Sequence, residues 1–519
     1  MNKLLTSCLF LLLVHCLKAQ NNIDSSAIRF SLTINKSELK EHLEILASDE
    51  YEGRETGKNG QKKSAAYLSE QFSASGILPY NGSWYQEFEL LEKSTTASIT
   101  VNGVKFDFKK DFYFFPGFTD TILNIKEIVF TGFGIDDKKY SDYKSSVKGK
   151  FLVVLDGEPF DKDGKSLITG TERSSEWTQD PRRKITVAKE KGAAGMIIIK
   201  NDFEKSYERL KHFILSPAVE LKKHQGDNAS GRKRLHAFFI SPSMAGNIIN
   251  SNEIEKLKTK IKETGKTASK KIKIKLEINV SKTAKEMSSE NVIAFIEGTD
   301  KKDEILVLTA HYDHLGKDGD EVYNGADDDG SGTVALIEIA EAFSEACKNG
   351  KRPRRSILIM PVSGEEKGLL GSYYYSENPL FQLEKTIANL NIDMIGRSDT
   401  AHKNNPDYVY VIGSDMLSKE LHGINESANK KYSDVTLDYT YNSADDPSRF
   451  YYRSDHYNFA RKNIPVIFYF TGVHEDYHKP TDEVSKIDFD KMEKITRMIF
   501  FTAWELANRE ERPALNKDH

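Results

Sequence analysis

From about residue 284 onward, short apolar runs alternate with helix-like stretches, and most runs end in a cluster of carboxylates or histidines. The runs fall at 292–296, 305–309, 357–362, 387–392, 409–412 and 466–470, and a helix is expected over 333–346. Continuous apolar runs of this length read as strands buried on both faces, and their alternation with helices predicts a largely parallel sheet sandwiched by helices. In open sheets of this class ligands bind beyond the carboxyl ends of the strands. The clusters sit where that rule puts a site. His311-Tyr312-Asp313-His314 follows the second run, Gly364-Glu365-Glu366 the third and Asp393 the fourth. His474-Glu475-Asp476-Tyr477-His478 follows the last.

The remaining cluster, Gly325-Ala326-Asp327-Asp328-Asp329-Gly330-Ser331-Gly332, is electrostatically costly by itself. Three adjacent carboxylates repel one another, and a divalent cation converts that repulsion into binding. Asp393 stands between Ile392 and Met394 at a strand end, and a carboxylate buried there needs a partner or a metal. Each fragment alone also fits a solvated loop or a helix cap. Their recurrence at successive strand ends implies one metal site with a spare carboxylate.

The 519 residues exceed one ordinary domain. A formal charge of -4 and a pI near 6.4 give no reason to expect nucleic acid or anionic membranes as partners. A mean hydropathy of -0.54 excludes a polytopic membrane protein. Lys3, the apolar stretch 9–14 and Leu17-Lys18-Ala19 read as a signal peptide over 1–19, implying a secreted or periplasmic chain with no stable membrane span after cleavage. Cys8 and Cys16 lie in that signal, so Cys347 alone remains and no internal disulfide is expected.

Residues 37–76 read as helix, loop and helix, with Ser37 as the cap of the first and Asp49-Glu50-Tyr51-Glu52-Gly53-Arg54-Glu55-Thr56-Gly57 as the loop. Strand-like runs follow to about 130. Then come a buried strand at 150–157, a helix around 186–191 and a strand at 196–199. This small β/α stretch carries no metal-type cluster. The charged segment 253–275 reads as a solvated helix and strand, and Tyr373-Tyr374-Tyr375 as packing.

All five clusters, in this order, resemble those of the clan MH zinc exopeptidases, the family of the bacterial secreted aminopeptidases. Glutamate carboxypeptidases, glutaminyl cyclases and the non-catalytic transferrin receptors are relatives within that clan. The resemblance covers about 285–510 together with 37–80, and residues 116–280 are similar to the protease-associated domain often inserted in this family. It implies a zinc exopeptidase fold, with 20–115 and 281–511 forming the peptidase domain, 116–280 a smaller β-rich insertion and 512–519 a tail. It further implies two Zn2+ ions: His311 and Asp393 on one, Glu366 and His478 on the other, Asp328 bridging. Asp327 and Asp329 are left as scaffolding, and a cis peptide bond is expected after Asp328.

Asp313 would orient His311, and Glu365 would act as general base. Arg453, Asp455 and His456 stand where similar enzymes bind substrate. The implied activity is release of N-terminal residues from peptides. A carboxypeptidase using Arg453 or Arg397, a glutaminyl cyclase and a non-catalytic binding protein are the alternatives, and oligomeric state is left open.

Overall fold

The computed structural model describes residues 23–115, 120–215, 217–222, 235–443 and 445–517. The expected signal peptide lies outside the described residues. The chain divides into two compact units, one formed by 1–90 with 287–519 and the other by 91–286.

In the first unit we number the elements α1 (Ser25–Ser31), α2 (Lys36–Leu46), α3 (Asn59–Ala74), β1 (Ala294–Ile296), β2 (Lys301–His311), α4 (Gly332–Lys348), β3 (Arg355–Val362), α5 (Leu370–Glu377), β4 (Thr386–Ile392), β5 (Tyr408–Ile412), α6 (Lys419–Tyr432), β6 (Thr436–Asp438), α7 (His456–Ala460), β7 (Val466–Phe470) and α8 (Phe489–Asn508). The sheet order is β1-β3-β2-β4-β7-β5-β6. Strands β3, β2, β4 and β7 run parallel to one another, so their carboxyl ends share one edge. Only β1 on β3 and β5 on β7 are antiparallel.

Central strands such as β2 are apolar throughout because both sheet faces are covered. Leu306, Leu308 and Ala310 enter the main core with α4 and α8, while Ile305 and Val307 enter a second core on the other face. Helix α4 is buried over most of its surface and carries the half-buried Cys347 near its end.

Two local expectations change. Asn35, not Ser37, caps α2, accepting from the N–H groups of Ser37 and Glu38. A single strand at 292–296 is interrupted at Ile293, whose N–H donates to the carbonyl of Trp84, leaving β1 as a separate short piece.

The second unit is built on a parallel core. Thr121–Thr131, Phe151–Leu155, Gly195–Ile199 and His236–Ile240 pair in succession, with helices Arg182–Glu190 and Ser251–Thr264 among its connections. Phe151, Val153 and Leu155 pack on one face of this sheet, Leu152 and Val154 on the other. Strand Tyr85–Val101 carries the chain across the boundary at Leu91 and forms a hairpin with Val104–Asp107. Ser269–Val292 pairs antiparallel with Thr121–Thr131 and carries the chain back. The sequence boundary at 116 therefore falls inside this unit, because the strands before it are hydrogen-bonded into the second sheet.

Candidate metal centre

The four parallel strands deliver His311, Glu365 and Glu366, Asp393, and His478 to the same sheet edge, and the turn before α4 adds Asp328. His311 Nε2 lies 3.2 Å from Asp328 Oδ1, 3.7 Å from Asp393 Oδ1 and 4.0 Å from Glu365 Oε2. On the other side, His478 Nε2 lies 3.1 Å from Asp328 Oδ2 and 3.4 Å from Glu366 Oε2. Asp328 thus has one oxygen toward each histidine. The Asp328–Asp329 peptide bond is cis.

Electrostatics separates these carboxyls. Burial pushes Asp328 upward, but hydrogen bonds from His311 and His478 outweigh it and hold the group well below the usual carboxylate range. Burial drives Glu365 well above that range, opposed by His311 and reinforced by Glu366, Asp455 and Asp393. His478, despite burial, is raised to about 11 by Glu366 and Asp328.

The other two aspartates of the triplet hold the backbone. Asp329 accepts the N–H of Gly332 at 2.9 Å, of Met394 at 3.1 Å and of His311 at 3.2 Å. Asp327 accepts the N–H of Gly396 at 2.6 Å, and its second oxygen lies 3.2 Å from His474 Nε2. Asp313 meets His311 through its carbonyl oxygen, 3.0 Å from Nδ1, whereas its carboxylate stands at 3.9 Å. That carboxylate instead accepts the Thr56 hydroxyl at 2.6 Å and the Glu365 N–H at 3.2 Å, tying the base candidate's backbone to β2.

Several residues with no role assigned from sequence hold this centre together. Arg54 is 1% exposed and donates to the carbonyls of Leu46, Tyr312, Asn324 and Gly325, placing a fixed cation among Asp328, Asp482, Asp313 and Asp329. Its neighbour Gly53 has φ +63°, and a Cβ there would lie 2.3 Å from the carbonyl oxygen of Gly316, so only glycine lets this loop approach. Asp482 accepts the N–H groups of Asp327 and Asp328. The Ser454 hydroxyl donates to Asp393 Oδ2 at 2.6 Å and is itself held by Asn391 at 2.9 Å. His314 Nδ1 is 3.0 Å from Glu366 Oε1. His314, His474 and Asp482 stand within or beside the sequence clusters, which was a usable signal, whereas Arg54 and Ser454 owe their positions to long-range packing.

The segment 453–456 divides. Arg453 lines the cleft over the centre with Met394, Phe450, Phe468, Phe470 and Tyr477. Asp455 and His456 do not line it, contrary to their expected substrate-facing role. Asp455 is 1% exposed, accepts the Ser372 hydroxyl and is pushed up to about 7 by burial; His456 is fully buried and stacks on Phe468 at 4.7 Å. The helical turn α7 begins at His456 and draws both side chains into the protein. Arg397 is held 3.1 Å from Asp476, and Tyr375 is buried as packing.

The donor set fits divalent metal. Imidazole nitrogens and carboxylate oxygens converge, and among the described residues Asp328 Oδ2 and Glu366 Oε1 are buried with only imidazole nitrogens beside them, His478 Nε2 at 3.1 Å and His314 Nδ1 at 3.0 Å. Buried charges left in that state are costly unless a cation engages them.

Residues 291–503 match Peptidase family M28. This segment is a family M28 peptidase domain. Among curated relatives, the chain is 27% identical over 266 residues to a probable zinc metalloprotease of Pyrenophora tritici-repentis (strain Pt-1C-BFP), covering 43% of this chain and 52% of the relative. It is 25% identical over 262 residues to aminopeptidase YwaD of Bacillus subtilis (strain 168), covering 49% and 51%. The chain spans about half the length of the curated relatives it matches. Its fold is that of the aminopeptidase from Aneurinibacillus sp. strain AM-1, with a TM-score of 0.56 at 17% identity over 94% of this chain and 97% of that one. A zinc aminopeptidase from Bacillus subtilis, BSAP, gives the same TM-score and identity over 93% and 98%.

Proposed function

We propose that this M28 chain is a zinc-dependent aminopeptidase acting on peptides with a free N-terminus. The observation that carries the reading is Asp328, whose two oxygens face His311 and His478 from a single buried carboxylate. His311 and Asp393 would hold one Zn2+, Glu366 and His478 the other, and Asp328 both. Bound there, zinc polarises the scissile carbonyl and makes water acidic enough to be deprotonated near neutrality.

The chain's own groups supply the rest. Glu365, with its proton affinity raised by burial and by neighbouring carboxylates, is suited to take a proton from the attacking water and return it to the departing amine. The Asp313 carboxylate fixes the Glu365 backbone, and Ser454 fixes Asp393. Met394, Phe450, Phe468 and Phe470 offer an apolar wall for the substrate side chain.

A carboxypeptidase is favoured by one observation, the Arg453 guanidinium in the same cleft. Aminoacyl-nitroanilides decide between them. Hydrolysis of free-amine substrates only, abolished by chelation and restored by zinc, is the expected result. Cleavage of N-blocked peptides with a free C-terminus would replace the aminopeptidase with the carboxypeptidase.

The unit 91–286 is proposed as a protease-associated domain, on its β-rich build and placement in the chain. Export to the periplasm or medium is proposed from residues 1–19. N-terminal sequencing of the protein from its native host should begin at or near Gln20.

A further inference from the structure

Away from the strand ends, helices α2 and α4 bring four metal-type side chains together. Glu38 and His42 are four residues apart on α2, and Glu338 and Glu341 three apart on α4. Both spacings place the members of a pair on one helix face. One oxygen from each of Glu38, Glu338 and Glu341 lies within 4.8 Å of the others. Facing helices that each supply two ligands build metal sites in helical bundles.

The decisive group is Glu338. Its side chain is 1% exposed; Oε2 accepts the Asn35 N–H at 3.1 Å, while Oε1 has no hydrogen-bond partner among the described residues. His42 Nε2 lies 3.7 Å from that oxygen, and His42 Nδ1 meets the Tyr67 hydroxyl at 2.6 Å. Among the described residues no Lys or Arg pairs with any of the three carboxylates. Lys36 is taken by Asp490, Lys348 by Glu345 and Arg497 by Glu493. Burial, with Glu38, Glu341 and Glu493 adding to it, pushes Glu338 up to about 8, and burial takes His42 down to about 4, leaving its imidazole neutral and able to ligate.

We propose that Glu38, Glu338 and Glu341, with His42 as the nitrogen donor, form a divalent-cation site separate from the His311–His478 centre, clamping α2 onto α4. Three carboxylates favour a hard cation, calcium or manganese, and the imidazole favours manganese of the two. The clamp is structural and does not depend on the catalytic reading.

The test compares the full-length protein with Glu338→Gln and Glu341→Gln after dialysis against Ca2+ or Mn2+, counting bound ion per chain by elemental analysis and following the thermal midpoint. Wild type should retain one more equivalent than either variant, and its midpoint should rise with the added ion while theirs stay flat. Calcium and manganese arms identify the preferred ion. Equal ion counts in wild type and both variants would overturn the site. So would a Glu338→Gln midpoint at or above wild type, with wild type indifferent to both ions, because Glu338 would then be a neutral buried acid. Glu341, only partly buried, keeps the comparison available if Glu338→Gln does not fold.

Discussion

Glu365 and Glu366 are adjacent in the chain, yet their carboxyls are driven in opposite directions. Both side chains are largely but not fully withdrawn from solvent, yet Glu366 is held well below the usual range by His478 and His314, whereas at Glu365 burial and the carboxylates of Glu366, Asp455 and Asp393 outweigh His311. Such divergence separates a ligand from a base. Glu365→Gln should lower kcat about 10²- to 10⁴-fold, the usual worth of general acid–base catalysis, with bound metal unchanged by elemental analysis. Loss of metal along with activity would make Glu365 a ligand instead. Ser454→Ala removes the donor that orients Asp393 and should weaken metal binding about 10–100-fold in a chelator competition, the scale of supporting hydrogen bonds around metal ligands. The residues now grouped at the centre were legible because charge is improbable at apolar strand ends. Ser454 was not, since a serine between Arg453 and Asp455 carries no such improbability and its role depends on a fold that brings 454 to 393. Asp455 and His456 misled for the converse reason: polarity in sequence says nothing about which face of a helical turn meets the core.

At the level of elements, β2, β3, β4 and β7 were recognisable from their apolar runs, and each proves to begin or end within a few residues of the expected position. Register and order were not recognisable, because they are set by partners distant in the chain. The joint between α4 and β4 illustrates this. Gly332 opens α4, and a Cβ there would lie 2.5 Å from Asp329 Oδ1 and 2.6 Å from the Ile392 carbonyl. Gly332→Ala must therefore push the helix from the strand and disturb the carboxylate that gathers His311, Gly332 and Met394. Overpacking of this kind costs about 1–3 kcal/mol. A urea midpoint lowered accordingly, with metal affinity reduced in parallel, is expected; an unchanged midpoint would mean the joint has slack.

For the whole molecule, the buried carboxylates of the centre are balanced by histidines and by Arg54, so occupancy and folding should be linked. A ligand that binds only the folded state at a hundredfold excess over its Kd adds about 2.7 kcal/mol of stability per site. Chelation should accordingly lower the Tm and zinc should restore it; a Tm indifferent to both would detach the centre from the fold. The two-unit division was visible in the change of rhythm near 284, but its first boundary was not, because strands on either side of residue 91 look alike until their partners are known. That division has a consequence for how the protein is made. Arg54 hydrogen-bonds to Tyr312, 258 residues further along, and at roughly 5–20 residues per second a ribosome needs about 13 to 52 s to cross that interval. Throughout that time the N-terminal helices have no sheet to lie on, while residues 91–286 can close their own core near its end, once Glu286 has been added. The nascent chain must keep its first apolar helices from aggregating until the strand beneath them has been synthesised.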